Sequence, residues 1–410
     1  GVQRDHLPAE VLTQQQLVSL PEALLSMHFP VSLTSIDSAK ARLGFDELLM
    51  ITYPALVAQA ERLHEATDPL AVDQSYVNKW ITTLPFVLTD DQQAAISTVL
   101  HDIQQSRPMN RLLHGDVGSG KTVVGLAAVL AAISGEKQVV WLAPTELLAR
   151  QHFATAQSLL EKVNIGISLW TRTQHIMARD DGEVRVDRAT ALAQSLIIGT
   201  HALLSEQNAY RNLGLLIIDE QHRFGVKQRA QLRLFGGSPI HLLSMTATPI
   251  PRTMALLLYG DLQLSTLHSK PTGRKPITTR VVTDDNRVKA YQFIDAHVAR
   301  GEQVYVVCPL IEPAQDDEAN VFVDLFESVE EKKAVSTWYE ELKRVFPTRR
   351  VAMLHGKMKA AEKTVVMEAF CDGTIDILVS TTVVEVGVDV PNATIMVIES
   401  AERFGLAQLH

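Results

Sequence analysis

The sequence predicts an α/β architecture, two domains with parallel sheets preceded by a short helical segment. Three observations predict it. At about 150 residues per domain, a chain of 410 residues holds two to three cores. From Leu84 onward, short β-branched runs alternate with longer helical patterns, the texture of parallel βαβ units. One stretch, Ser269 to Pro276, is rich in Pro, Gly and base and interrupts that alternation, which then resumes.

Composition narrows the function classes. The chain is 46% hydrophobic and 21% charged, which excludes intrinsic disorder, and its Gly and Pro follow no period. The longest apolar run, Thr122 to Ser134, is short for a bilayer span, and Gly1 to Glu10 is polar, so a cytoplasmic protein with no membrane partner is expected. Two cysteines, Cys308 and Cys371, make no disulfide framework, and no His/Cys spacing suits a metal cluster. A net charge of −9 argues against a generically basic nucleic-acid coat, though not against an enzyme with local basic residues.

Taken in order, Pro8 to about Val72 reads as helical: Leu17, Leu20, Leu24, Leu25 and Met27 follow helical spacing, and Ala39 to Leu63 is a second periodic run. Pro21, Pro30 and Pro54 punctuate it. Residues 1–75 are assigned to this segment, 76–268 to the first α/β domain and 269–410 to the second. Strands are expected at Arg111–His114, Val139–Leu142, Leu196–Gly199, Leu215–Ile218 and His241–Met245, with helices at Lys121–Ile133 and Thr145–Glu161. The second series places strands at Ile277–Val282, Gln303–Val307, Val351–His355, Ile375–Val379 and Thr394–Ile398. Its helices are expected at Arg287–Ala299, Ser328–Val345 and Ala360–Cys371.

Gly115 to Thr122 (GDVGSGKT) fits the phosphate-loop pattern GxxxxGK[ST] in full, between an apolar strand and an apolar helix. Gly115, Gly118 and Gly120 let the backbone around Ser119 fold so that N–H groups converge on phosphate oxygens. Lys121 adds a mobile positive charge, and the Thr122 hydroxyl suits Mg²⁺. Leu215 to Ile218 then runs into Asp219, Glu220, Gln221 and His222, placing two carboxylates at the carboxyl edge of a buried parallel strand. Asp219 is expected to hold Mg²⁺, and Glu220 to orient and deprotonate an attacking water.

Asp219 to His222 resembles the DExH box of the second helicase superfamily, and further matches follow in family order. Thr89 to Gln92, after Leu84-Pro85-Phe86, is similar to the glutamine motif that reads adenine, which implies nucleotide roles for Phe86 and Gln92. Ala143 to Ala149 and Gly199 to Leu203 resemble motifs Ia and Ic, implying DNA contacts by Thr145, the adjoining Arg150, Thr200 and His201. Ser244 to Thr253 resembles motif III, with Thr248 on the DNA side and His222 coupling it to ATP. Leu354 to Met358 and Thr381 to Pro391 resemble motifs IVa and V; these imply DNA contacts by His355, Thr381 and Thr382 and nucleotide contacts by Gly387 and Asp389.

The wording is most similar to the RecG family of branched-DNA translocases, through Ala41 to Leu49, Pro108 to Leu113 and Gly273 to Thr279. Asp219 to Gly225 and Pro249 to Thr253 are shared in style with transcription-repair coupling translocases. The resemblance implies two RecA-like domains, ATP and Mg²⁺ as cofactors, and a monomer acting on branched or forked DNA in repair and recombination. It also implies an arginine-bearing motif VI after Glu402 to His410 and a wedge domain ahead of the helical segment, neither within these residues. On that expectation the chain is a fragment with low DNA-stimulated turnover, and an ATP-dependent clamp is the reading from another class. Basic residues Lys270, Arg274, Lys275 and Arg280, and Arg349, Arg350, Lys357 and Lys359, fit a solvated face as well as phosphate contact. His114 and His355 fit satisfied strand ends, and Glu312 fits a cleft or a loop equally.

Overall fold

Alternation with period two decides the architecture of the first domain. The computed structural model describes residues 5–62, 66–172, 174–179, 182–204, 210, 212–220, 240–247, 262–269, 277–309, 335–356, 358–381, 390–405 and 409. Strand β1 (Asn110–Gly115), β2 (Gln138–Leu142), β3 (Ile167–Trp170), β4 (His175–Arg179), β5 (Gly182–Arg185), β6 (Leu196–Gly199), β7 (Leu213–Asp219), β8 (His241–Thr246) and β9 (Gln263–Leu267) form one sheet. Their order is β5-β4-β3-β6-β2-β7-β8-β1-β9. Val139, Trp141, Leu215 and Ile217 face one core, while Val140, Leu142, Leu216 and Ile218 face another. Both faces are dry, which is why these strands read as unbroken apolar runs.

Helices α4 (Gln74–Ile81), α5 (Asp90–Ile103), α6 (Lys121–Ser134) and α7 (Glu146–Leu160) fill the first core. Ten consecutive residues of α6, Val123 to Ala132, are buried, so this helix is apolar on every side and sits inside the domain. Short α8 (Arg188–Leu192) helps cover the second face. Ahead of the sheet lie α1 (Ala9–Gln14), α2 (Leu20–His28) and α3 (Leu33–Arg62). There the fully buried Arg42 pairs with Asp5 at 2.7 Å and with Asp46, tying the chain start to α3.

The second sheet is smaller and wholly parallel: β10 (Gln303–Val307), β11 (Val351–Leu354), β12 (Ile377–Ser380) and β13 (Ala393–Ile398), in the order β11-β12-β10-β13. Helices α9 (Arg287–Val298), α10 (335–345) and α11 (Ala360–Cys371) accompany it. Among the described residues no helix is long and apolar enough to cross a membrane, and no cluster of three or more His, Cys, Asp or Glu is placed to hold a metal.

Two expectations are corrected. Ile277–Val282 is not a strand: Ile277 and Val281 are 83% and 95% exposed, so this alternating run has neither a core beneath it nor a paired edge. The first sheet is not wholly parallel, because β3-β4 and β4-β5 pair antiparallel at one edge. Strands β3, β4, β5 and β9 were not among the expected strands; β9 pairs in parallel with β1 through its backbone, and Arg111 adds side-chain bonds to its Ser265 at 2.8 Å and Gln263 at 2.6 Å. The first part of Ser328–Val345 lies outside the described residues.

His241, at the start of β8, is fully buried, and its Nδ1 accepts the Met109 N–H at 3.0 Å. Burial pushes its pKa down to about 4. Because the folded value is depressed, the unfolded chain binds the proton first, and stability is lost as pH falls from about 6.5 towards 4. The full span corresponds to about 3 kcal/mol. His241→Asn keeps an acceptor for Met109 without titrating. Unfolding followed in urea at pH 6.5 and at pH 4 is expected to show a smaller loss in this variant than in the parent.

Candidate nucleotide site

The strand order sets the site. β7, β8 and β1 are neighbours, and their register puts Asp219 beside Met245 and Thr246 beside His114. Their carboxyl ends therefore present Asp219, Thr246 and Gly115 in a row along one edge. β7 and β1 are two strand spacings apart, roughly 10 Å.

Between β1 and α6 the loop turns through two left-handed glycines, Gly118 (φ +75°) and Gly120 (φ +85°). A Cβ on Gly120 would lie 2.1 Å from Gln92 Nε2, so the position excludes every side chain on two counts. Gln92 is buried, and it donates from Nε2 to the Ser119 carbonyl at 2.8 Å while Oε1 accepts the Thr89 N–H at 2.9 Å. Thr89 returns a cap to the Gln92 N–H at 3.3 Å, closing a reciprocal capping box. Gln92, expected to read adenine, is thus engaged in holding the phosphate loop. Phe86, its companion in that expectation, is 44% exposed. Asp91, next along α5, accepts the N–H groups of His268 and Ser269 at 2.9 and 2.7 Å, anchoring the chain just after β9. These bonds hold its carboxyl below the usual range.

Lys121 donates from Nζ to the carbonyls of Gly115 at 2.7 Å and Asp116 at 3.1 Å. Burial lowers its pKa, opposed by the charges of Asp219, Glu220 and Asp116. The ammonium is therefore within electrostatic reach of both acids, the convergence the motifs require. Thr122 follows it in the first turn of α6, half-buried. Ser119 Oγ is buried with no hydrogen-bond partner among the described residues, an unused donor at the base of the loop.

Asp219 and Glu220 are both buried. Asp219 accepts its neighbour Glu220 N–H at 3.0 Å on Oδ1 and His152 Nε2–H at 2.7 Å on Oδ2. Glu220 sits at φ +47°, a strained conformation for a side-chain-bearing residue, and the turn sends its carboxylate to β8. There it accepts from Thr246 Oγ1 at 3.0 Å and from Ala247 N–H at 3.2 Å. His152 was not among the expected site residues. It lies on the apolar stripe of α7 with Leu148, Ala149, Phe153 and Ala156, where spacing alone marks it as a core histidine.

The residues expected on the DNA side also gather at carboxyl ends of strands. Thr145, after β2, N-caps α7 by accepting the Leu148 N–H at 3.2 Å and keeps its own hydroxyl proton to donate. His201 is exposed, while Thr200, His355 and Thr381 are buried. Arg150 is held by Gln174 and, at 3.4 Å, by Glu183 of the β4-β5 hairpin. Arg349 and Arg350 pair with Asp295 at 2.8 Å and Asp376 at 2.6 Å, so each has an acidic neighbour. His222, Thr248, Thr382, Gly387 and Asp389 lie outside the described residues, as do Lys270, Arg274, Lys275, Glu312 and Lys357.

Comparison with known proteins follows this geometry. Residues 89–257 match the DEAD/DEAH box helicase model, and residues 290–410 match the helicase conserved C-terminal domain. The chain is 42% identical over 407 residues to the ATP-dependent DNA helicase RecG of Synechocystis, covering 99% of this chain and 47% of that one. It is 40% identical to RecG of Thermotoga maritima, covering 99% of this chain and 50% of the relative. A solved RecG bound to a three-way DNA junction superposes with a TM-score of 0.82 at 36% identity, over 100% of this chain and 52% of that one. The chain thus spans about half the length of the relatives it matches.

Gly120→Ala is expected to weaken binding of a fluorescent ADP by roughly five- to thirtyfold, because left-handed backbone costs about 1–2 kcal/mol for an L residue and Gln92 must also move. Calorimetric titration checks the loss. Nucleotide affinity within threefold of the parent's would contradict this geometry.

Proposed function

We propose that the chain is the motor core of a RecG-like helicase, its two RecA-like domains forming an ATP-driven DNA motor, a reading supported by the similarity to RecG proteins and by the site's geometry. The observation that carries the reading is the convergence of Lys121 with Asp219 and Glu220 at one sheet edge. In this reading Lys121 exchanges the carbonyls of Gly115 and Asp116 for the phosphates of ATP, and the loop N–H groups and Ser119 Oγ complete the cradle. The donor set fits Mg²⁺: the Thr122 hydroxyl and the Asp219 carboxylate are hard oxygens of the kind this ion takes alongside substrate phosphate. When bound, the ion neutralises charge on the transferring phosphoryl group. Glu220, oriented by Thr246 and Ala247, is the group that positions the attacking water.

His222, Gly387 and Asp389 are assigned to ATP coupling and nucleotide contact from their motifs, as are Phe86 and Gln92. Thr145, Arg150, Thr200, His201, Thr248, His355, Thr381 and Thr382 are assigned to the DNA backbone, where hydroxyls and N–H groups supply most contacts. Leu147, in the first turn of α7, packs against the second-domain cluster of Leu354, Phe370, Leu378 and Val390. Motion between the domains would therefore be felt at this helix. Branched DNA is the proposed substrate, supported by the junction-bound relative. The chain is proposed to act as a cytoplasmic monomer with residues 1–75, 76–268 and 269–410 as its units.

Titration of a fluorescent ADP with and without Mg²⁺, together with phosphate release measured with no DNA, linear duplex and a synthetic three-way junction, tests the reading. The expected outcome is Mg²⁺-dependent nucleotide binding that Lys121→Ala weakens by roughly tenfold or more, since a charge-assisted contact is worth about 1.5–3 kcal/mol, with phosphate release low on every DNA. Binding insensitive to both EDTA and Lys121→Ala would overturn it.

A further inference from the structure

His152 has no part in the motor as described, yet it touches the acid assigned to Mg²⁺. Its side chain is 10% exposed and that of Asp219 is 12% exposed, and the 2.7 Å contact between them is shielded from bulk water. A carboxylate only accepts, so the imidazole donates from Nε2. With Oδ1 taken by the Glu220 N–H, the carboxylate is pinned at both oxygens. Each oxygen keeps a second lone-pair direction, which leaves it competent for a cation.

The imidazole is itself immobilised. Its ring packs on Trp141 of β2 with centroids 5.0 Å apart and planes at 39°. Trp141 is buried to 1% exposure against α6, where a Cβ on Gly125 would come within 2.7 Å of its Cη2. A continuous packed line therefore runs from the phosphate-loop helix through Gly125, Trp141 and His152 to Asp219.

We propose that His152 is a positioning residue that holds the Asp219 carboxylate in the orientation that receives the nucleotide-bound divalent cation. The inference rests on the nucleotide-site reading above and deepens it. Outer groups that orient a ligand carboxylate typically change metal affinity by about 10–100-fold when removed.

The test uses the whole chain and a fluorescent ADP, titrated with Mg²⁺ and separately in EDTA. His152→Phe, which keeps the ring and loses the donor, is expected to raise the Mg²⁺ concentration at half-maximal tightening by roughly tenfold and to leave affinity in EDTA unchanged. His152→Gln, which keeps a donor, is expected to restore most of the Mg²⁺ response. In the parent protein, the ¹⁵N signal of the His152 ring is expected to shift on adding Mg²⁺–ADP but not ADP in EDTA, a readout independent of whether any variant folds. A folded His152→Phe protein with parental Mg²⁺ dependence, equal losses with and without Mg²⁺, or an unmoved ring signal would overturn the role of His152. Absence of any Mg²⁺ effect on the parent's ADP binding would instead overturn the nucleotide-site reading itself.

Discussion

Parallel strands all finish at the same edge of their sheet, and everything at the site depends on which strands lie together there. Placing β8 between β7 and β1 brings Asp219, Thr246 and Gly115 into one row, although Gly115 lies more than a hundred residues before the other two. The two dry faces of the sheet fix the register, since a slip of one residue would exchange the two cores.

Charge burial at that edge is balanced locally. Lys121 is lined by backbone carbonyls and faces two acids, while each acid has its own donors: His152 and a backbone N–H for Asp219, Thr246 and Ala247 for Glu220. Leaving any buried charge without such partners would cost several kcal/mol. The pairing also holds each group at a defined angle before a nucleotide arrives, the condition for electrostatic assistance without reorganisation. Gln92 extends the same logic to the loop by bracing the Ser119 carbonyl behind Gly120.

Much of this was legible from residue order. GDVGSGKT after an apolar strand marked the phosphate loop, and four apolar residues ahead of Asp219-Glu220 marked a buried strand ending in acids. The helices Lys121–Ser134 and Glu146–Leu160 were legible within a residue or two, because apolar periodicity and the Thr145 cap define them. Ile277–Val282 was misread because alternation records what could be half-buried, not whether a partner strand exists. Strand β9 escaped notice for the opposite reason: its Gln263, Ser265 and Thr266 break any apolar run, although its backbone pairs with β1.

The sequence by itself determined the chemical inventory and the local frames: a glycine-permitted loop with its lysine, an acid pair at a strand end, and two series of alternating strands and helices. These are local properties, set by backbone sterics and by periodicity over fewer than about 20 residues. Tertiary structure alone decided that His152 reaches Asp219, that Gln92 braces Ser119 and that Glu220 turns to Thr246. Such contacts join residues whose separation along the chain says nothing of their distance in space, so only the packing of helices on an ordered sheet can choose them.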